Sequence, residues 1–319
     1  MLYYYIDIRA FSDHTGGYMN KQILVAVDGS VYSSNSLDYL IRLFRNNNNL
    51  KIDLIGTIQD KNCKQKMSSL HPQAKDIEHH TCNYLQDARA RLLRNGFHKD
   101  QVAYYIQASP STTASSIHSY AQQGNYDGLL VGRRGVGKMG EIFMGSVSAD
   151  LIKKCHDVPV WIIDGDVTST RFLLAAHSSS CSLMAADHLA FILYNNPKTK
   201  IYIYHSSAVF GSPPPALAEN FHYQWGEQWC NQHLDLNNYL YHAHTRVLLE
   251  NGISRQQIIH IAPHKDFDAS HDLLRQANKY DCGTIVIGRR GREAVKGFMG
   301  GVSDRTTQYA HNLAVWLVG

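Results

Sequence analysis

Residues 131–148 read Val-Gly-Arg-Arg-Gly-Val-Gly-Lys-Met-Gly-Glu-Ile-Phe-Met-Gly-Ser-Val-Ser. A short apolar run at 128–131 leads into this stretch, and a helical pattern follows from Ser146. A buried strand, a glycine-rich loop and a helix in this order are typical of parallel α/β sheets, which bind ligands beyond the carboxyl ends of their strands. Glycines let backbone N–H groups approach an anion, and a helix N-terminus adds further donors. The stretch therefore predicts a phosphate-binding loop.

Strands and helices alternate on both sides of this loop. Apolar runs predict strands at 23–27, 51–58, 102–108, 128–131 and 159–163. Amphipathic patterns between these runs predict helices, including a long one at 76–95 that stops before Gly96. Short continuous apolar strands indicate a parallel sheet covered on both faces. Residues 21–165 therefore predict a doubly wound α/β domain with a five-stranded parallel sheet.

The same order of signals returns in the second half of the chain. Four short matches link the halves: Leu-Leu-Arg-Asn-Gly at 92–96 with Leu-Leu-Glu-Asn-Gly at 248–252, Gly-Arg-Arg-Gly at 132–135 and 288–291, Phe-Met-Gly at 143–145 and 298–300, and Pro-Val-Trp at 159–161 with Ala-Val-Trp at 314–316. Matches in one order indicate an internal duplication. We predict two tandem α/β domains, 21–165 and 171–319, after an N-terminal extension at 1–20.

Composition excludes several classes of protein. The formal net charge is +4 without a cluster of basic residues, which disfavours a nucleic-acid partner. No apolar run reaches the about 18 residues that suggest a membrane span. The six cysteines form no Cys-x2-Cys pair, which favours reduced thiols and a cytoplasmic location.

Three motifs compete for the glycine-rich loop. The spacing Gly132-x4-Gly137-Lys138 imitates a Walker A loop, but Met139 stands where a Ser or Thr would hold Mg²⁺. The pattern Gly-x-Gly-x2-Gly at 135–140 fits a dinucleotide-binding loop, but its glycines lie too far before the helix. Both remain weaker alternatives to a third spacing.

The third spacing is Gly132-x2-Gly135-x9-Gly145-Ser146, which resembles the signature of the ATP-binding branch of the universal stress protein family. The resemblance extends to Val-Ala-Val-Asp-Gly-Ser at 25–30 and to Pro-Val-Trp-Ile at 159–162. In two copies it covers nearly the whole chain from Lys21. It implies a nucleotide-dependent regulator of the stress response that binds ATP, either alone or with Mg²⁺.

The resemblance also implies which residues of the first half hold the nucleotide. It places around the nucleoside Ala26, Asp28, Thr57 and Val131. It places around the phosphates Gly132, Arg134, Gly135, Gly145, Ser146, Val147 and Ser148. The chemistry agrees, because a carboxylate accepts hydrogen bonds from ribose hydroxyls and small hydroxyl side chains donate to phosphate oxygens.

The resemblance implies in addition that terminal strands pair. The strands at 159–163 and 314–318 are therefore expected to join the two halves as an intramolecular pseudo-dimer, and a homodimer of whole chains stays open. The second half departs from the pattern, with His177 in the place of Asp28 and Gly301 where a hydroxyl residue is required. We expect a scaffold role, or a different ligand, for that half.

Other chemistry finds little support in the sequence. Of the 18 histidines, His242 and His244 lie roughly 200° apart around a helix and cannot share a metal, so we interpret them, like His79 and His80, as solvated helix residues. No nucleophile motif is present. The alternatives to a regulator that binds ATP are a structural adaptor without nucleotide and a slow ATPase or other adenine-nucleotide enzyme.

Overall fold

The computed structural model describes residues 20–45, 47–59, 72–109, 111–133, 144–177, 179–207, 226–228, 239–264, 267–289 and 301–319. The first half contains the strands β1 Lys21–Ala26, β2 Leu50–Gln59, β3 Val102–Ser109, β4 Gly128–Gly132 and β5 Val160–Ile163. Its helices are α1 Val31–Phe44, α2 Pro72–Arg94, α3 Thr113–Gln123 and α4 Ser146–Lys154. Each predicted strand of this half is present within a few residues of its expected bounds.

The second half repeats this order. Its strands are β6 Arg171–Ala175, β7 Lys200–Tyr204, β8 Ile258–Ile261, β9 Thr284–Gly288 and β10 Ala314–Val318. Its helices are α5 Ser180–Leu193, α6 Tyr239–Glu250, α7 Ala269–Lys279 and α8 Val302–Tyr309. Residues 208–225 and 229–238, which include Trp225 and Trp229, lie outside the described residues.

The ten strands of the described residues form one sheet with the order β3-β2-β1-β4-β5-β10-β9-β6-β7-β8. Within each half the five strands are parallel, and the halves meet where β5 pairs antiparallel with β10. The predicted fold class is confirmed, and the two terminal strands pair as expected. Pairing removes two apolar edges that would otherwise offer unsatisfied backbone groups to other chains.

Two aromatic side chains mark the junction between the halves. Trp161 of β5 lies opposite Trp316 of β10, and their rings stack with centroids 3.9 Å apart and an interplanar angle of 4°. Both side chains are fully buried. Burial of two indoles at one point makes the junction part of a shared hydrophobic core.

Helices cover both faces of the sheet. The apolar residues of α1, α2, α5 and α6 pack in one core, and those of α3, α4 and α7 pack in the other together with Ala310 and Leu313 after α8. Each core runs through both halves. The helices after β1 and β4 therefore lie on opposite faces, which opens a crevice between the carboxyl ends of these two strands.

Polar contacts also tie the halves at the ends of helices. Lys21 Nζ donates to the carbonyl oxygens of Ile192 and Tyr194 at 3.0 and 3.2 Å, where α5 ends. Asn196 Nδ2 donates to Leu43 O of α1 at 2.8 Å. Each half thus satisfies terminal carbonyls of a helix in the other half.

Among the described residues, no helix is both long and apolar enough to cross a membrane.

Candidate functional site

The crevice of the first half is bordered by the carboxyl ends of three neighbouring strands. Ala26 is the last residue of β1 and pairs with Ile55 of β2, two residues before Thr57. Val25 pairs with Leu130 of β4, so Ala26 lies beside Val131. The strand register therefore gathers the four positions predicted around the nucleoside, since Asp28 follows directly after β1.

The turn after β1 holds the Asp28 carboxylate at the mouth of this crevice. Asp28 Oδ1 accepts hydrogen bonds from the backbone N of Ser30 at 3.0 Å and from Ser30 Oγ at 2.6 Å. Gly29 has a φ of +76°, which a residue with a side chain rarely adopts. Ser30 in turn caps α1 by accepting from Ser33 N at 3.3 Å. A carboxylate held in this way stays exposed and can accept from a ligand hydroxyl.

The N-terminus of α4 lies directly over the end of β4. Ser148 Oγ donates to Gly132 O at 2.7 Å, and Gly145 N donates to Arg133 O at 2.8 Å. Within the described part of the chain, no side chain caps this helix at Gly145. Because the first N–H groups of a helix have no intrahelical acceptor, those of Ser146 and Val147 are available to an anion at this end of the crevice.

Gly132 explains how the two sides of the crevice come together. A Cβ built on Gly132 would lie 3.0 Å from both the carbonyl carbon and the Cβ of Tyr32 in the first turn of α1. Only a glycine lets α1 approach the end of β4 so closely. The glycine therefore brings the Asp28 turn beside the glycine-rich loop, a packing role that its predicted phosphate role did not include.

The structure describes most, but not all, of the predicted site residues. Arg134 and Gly135 lie outside the described residues. The remaining predicted residues border the same crevice, although the Ser148 hydroxyl is directed at Gly132 O and its side chain is buried. The contribution of Ser148 is thus to fix the helix on the strand, and its contact with phosphate stays a prediction.

Sequence reasoning missed Tyr84 of α2, which lies beside the Asp28 turn. A Cβ on Gly29 would meet Tyr84 Cδ1 at 3.1 Å, and a Cβ on Gly56 would meet Tyr84 Oη at 3.2 Å. Partial burial, together with the charge of Asp28, raises the pKa of Tyr84. Its place on an amphipathic helix gave no signal, because an aromatic residue there also fits simple packing.

Sequence reasoning also assigned no role to the first arginine of each Gly-Arg-Arg-Gly motif. Arg133 is completely buried and donates to the carbonyl oxygens of Gln308 and Ala310 at the end of α8, with Asp164 Oδ2 3.4 Å from its Nη1. Arg289 is the counterpart in the second half and donates from Nη1 to Ile152 O of α4 at 2.8 Å. Each loop therefore reaches the C-terminal end of a helix in the other half.

The corresponding crevice of the second half contains imidazole groups. His177 N donates to Ser182 Oγ at 2.9 Å, and the Ser182 hydroxyl lies 2.7 Å from His244 Nε2. His244 Nδ1 donates to Leu240 O at 2.6 Å, so its Nε2 is the acceptor of a hydrogen bond from the Ser182 hydroxyl. The ring of His205 lies 6.3 Å from that of His177. This network replaces the carboxylate of the first half.

The interpretation of His244 as a solvated residue is wrong. The side chain is fully buried, and burial, with the nearby His177 and His205, lowers its pKa to about 4. A neutral imidazole is accepted in this core because Ser182 and Leu240 satisfy both ring nitrogens. His79, His80 and His242 are exposed, as interpreted.

The strand order and the helices on both faces define each half as a doubly wound α/β domain, with the candidate site of the first half at the point where the strand order reverses. Residues 19–164 match the model of the universal stress protein family. The family match lies in the first half of the chain. No curated protein sequence matches the chain.

Solved structures share the fold over most of the length of the chain. A universal stress protein from Archaeoglobus fulgidus DSM 4304 is 18% identical, with a TM-score of 0.63, and the match covers 93% of this chain and 97% of that one. A proposed universal stress protein from Pseudomonas aeruginosa UCBPP-PA14 is 13% identical, with a TM-score of 0.54 and coverage of 94% and 93%. At these identities the likeness shows the two-domain fold.

Proposed function

We propose that the first half binds ATP in the crevice between β1 and β4, and that the protein acts as a nucleotide-dependent regulator of a cytoplasmic stress response. The observation that carries this proposal is the placement of the uncapped N-terminus of α4 on the end of β4, beside a carboxylate held by the β1 turn. Donors for phosphates and an acceptor for ribose hydroxyls thus border one crevice.

Each side of the crevice has a distinct role in this proposal. Asp28 accepts hydrogen bonds from the ribose, and the base lies against Thr57 and Val131. The N–H groups of the first turn of α4 bind the phosphates, with Mg²⁺ as an accompanying ion. Arg134 and Gly135 complete the phosphate site as an expectation from the sequence.

The second half serves as a scaffold in this proposal. Val302 begins α8 where Ser146 begins α4, so no hydroxyl side chain stands at that position. His177 follows β6 where Asp28 follows β1, and its backbone is tied to the buried Ser182. An imidazole cannot replace a carboxylate that accepts from two ribose hydroxyls.

Calorimetric titration of the full-length chain with ATP tests the proposal. Asp28→Asn keeps the size of the side chain but removes its charge, and we expect affinity to fall roughly 10- to 150-fold, which corresponds to about 1.5–3 kcal/mol for a charged hydrogen bond. His177→Asn is the matched control at the equivalent position of the second half and should leave affinity unchanged.

Two results would overturn the proposal. Absence of ATP binding by the wild-type chain, with no adenine nucleotide in the purified protein by mass spectrometry, would favour the structural adaptor. Equal ATP affinity of the Asp28→Asn variant and the wild type would move the nucleotide out of this crevice.

A further inference from the structure

A second cluster of reactive side chains lies at the opposite end of α4 from the candidate ATP site. It comprises His118 of α3, Cys155 at the C-cap of α4, and Asp157 in the turn before β5. One ligand atom of each residue lies within 4.8 Å of the other two, and His118 Nε2 is 2.7 Å from Asp157 Oδ1. Residues from two helices and a turn therefore converge at one point.

The exposure of the three side chains increases from Cys155 through His118 to Asp157. Cys155 is completely buried, whereas the side chains of His118 and Asp157 are 18% and 38% exposed. An ion between these residues would have the sulfur below it and water above it. This is the arrangement of a site with three protein ligands and one open position.

The second half of the chain shows that the fold does not require these residues. Cys155 N donates to Leu151 O, and Ala310 N makes the same contact with Thr306 O at the end of α8. Trp161 and Trp316 occupy equivalent positions in the two halves, so Asn312 is the counterpart of Asp157 in the sequence.

On α7 the position of His118 is taken by Leu274, counted from the helix N-caps Thr112 and Asp268. The equivalent positions thus carry alanine, leucine and asparagine. In the second half, residues that cannot bind a metal together fill these three positions and still allow the helices to pack. The three side chains of the first half therefore need an explanation other than the fold.

We propose that His118, Cys155 and Asp157 bind one Zn²⁺ ion, with a water molecule as the fourth ligand. A thiolate, an imidazole and a carboxylate favour zinc over Mg²⁺ or Ca²⁺, which prefer oxygen ligands. Tetrahedral bonds to zinc place such ligand atoms roughly 3.3–3.6 Å apart. The imidazole and carboxylate must therefore separate slightly from 2.7 Å, and the sulfur must lie within the same range.

Binding also requires a defined change of protons. The Cys155 thiol releases its proton to solvent, and the imidazole of His118 carries its proton on Nδ1 so that Nε2 faces the ion. The thiolate and carboxylate supply two negative charges against the two positive charges of the metal.

The nearby Arg289 guanidinium, which donates to Ile152 O, adds one positive charge that opposes the ion. Its charge interacts with those of Cys155 and Asp157. Both anionic ligands are therefore necessary for binding. Replacement of either one by a neutral residue should lower the affinity for the metal.

Titration of the metal-free full-length chain with Co²⁺, followed by competition with Zn²⁺, tests the site. We expect one equivalent of Co²⁺ to give tetrahedral visible bands and a sulfur-to-cobalt charge-transfer band, which Zn²⁺ abolishes. Cys155→Ser should lack the charge-transfer band. His118→Gln and Asp157→Asn should weaken binding by at least about tenfold, the scale on which even supporting groups of metal sites act.

Cys282→Ser is the matched control, because Cys282 is also a buried thiol but is not part of this cluster. It should retain the full charge-transfer band. A wild-type chain without the band, a band that survives in Cys155→Ser, or unchanged affinity of the Asp157→Asn variant would overturn the proposal. Asp157 is partly exposed, so its replacement tests binding without disturbing the core. ATP binding is measured separately, and the two proposals can fail independently.

Discussion

The two buried arginines at the junction should contribute very differently to stability. Both terminal nitrogens of Arg133 have acceptors: two carbonyl oxygens at the end of α8, with the carboxylate of Asp164, whose side chain is only 10% exposed, 3.4 Å from Nη1. Breaking such a buried charged network costs about 3–5 kcal/mol, because the carboxylate remains buried without its partner. We therefore expect Arg133→Met to lower the free energy of unfolding by that amount.

Arg289 is the matched comparison. It donates from Nη1 to Ile152 O, but within the described part of the chain its Nε and Nη2 atoms are buried without a hydrogen-bond partner. Burial accordingly lowers the pKa of Arg289. Loss of one charged hydrogen bond costs about 1.5–3 kcal/mol, whereas removal of unsatisfied buried donors returns about 1–3 kcal/mol. The net cost of Arg289→Met should therefore lie between about −1.5 and 2 kcal/mol, below the cost of Arg133→Met.

Urea denaturation followed by tryptophan fluorescence and circular dichroism measures this difference. Since both halves share one sheet, we expect a single transition that both probes report. Arg246→Met serves as a surface control, because its ion pair with Glu250 is 44% exposed at the arginine and should contribute less than about 1 kcal/mol. Equal losses for Arg133→Met and Arg289→Met, or a larger loss for Arg289→Met, would refute the reasoning.

Three further perturbations have defined outcomes. Gly288→Ala should destabilise the chain by about 3 kcal/mol or more, because the new Cβ overlaps the Cys181 carbonyl. Gly132→Ala should cost about 1–3 kcal/mol, because its Cβ only touches Tyr32. Thermal unfolding measures both losses, and a larger loss for Gly132→Ala would contradict this prediction. Burial lowers the pKa of His188 in α5 to about 3, below its value of about 6.5 in an unfolded chain. Between these pH values the unfolded chain binds a proton that the folded chain does not. The free energy of unfolding is therefore unaffected by His188 above pH about 6.5 and falls by up to about 1.4 kcal/mol per pH unit toward pH 3. His188→Gln should reduce this acid slope by one proton, which urea titrations between these pH values would show; an unchanged slope would speak against the buried neutral imidazole. A double-mutant cycle with Trp161→Leu and Trp316→Leu should give a coupling energy of about 0.5–1.5 kcal/mol for the stacked rings, and additive losses would argue against the stack.

The fold could be predicted because its signals are local. Each strand is a short apolar run between polar turns, so the run at 128–131 appears in the structure as β4 Gly128–Gly132. The duplication then fixed the order of elements in the second half. Even the pairing of β5 with β10 followed from the resemblance, because the last strand of each half was expected to be an edge.

The contacts across the junction could not be predicted in the same way. Arg133 and Arg134 are identical neighbours, and no local pattern says that Arg133 turns into the core. Arg133 does so because the backbone at the end of β4, where Arg133 N donates to Ile163 O, directs its side chain toward α8. This direction depends on the register between β5 and β10, which is a property of the assembled sheet.

The polar residues of the cores were missed for a related reason. A polar residue at the position of His244 is expected to face solvent. It is buried because the Ser182 hydroxyl of α5 donates to its Nε2 and Leu240 O accepts from its Nδ1. Likewise, His118 is far in sequence from Cys155 and Asp157, so a search for closely spaced ligands could not find them. In both cases a partner comes from another element of the fold.

A comparison of the two halves separates residues that serve the junction from residues that would serve a ligand. The halves share the junction tryptophan and the buried arginine that reaches the opposite helix, Arg133 in one half and Arg289 in the other. They differ at Asp28, which corresponds to His177, and at the first residue of the helix after the glycine-rich loop, which is Ser146 in one half and Val302 in the other. If the glycine-rich loops served only to shape the sheet, the two halves should carry similar residues at both sets of positions.

The shared set is explained by packing across β5 and β10, whereas packing gives no reason for an exposed carboxylate and an exposed hydroxyl in one half alone. Helix α4 connects the two sets. Ser148 fixes its N-terminus on β4, and Arg289 of the second half satisfies a carbonyl near its C-terminus. The second half thus positions the helix that faces the proposed nucleotide, which gives a domain without its own carboxylate a direct part in the site.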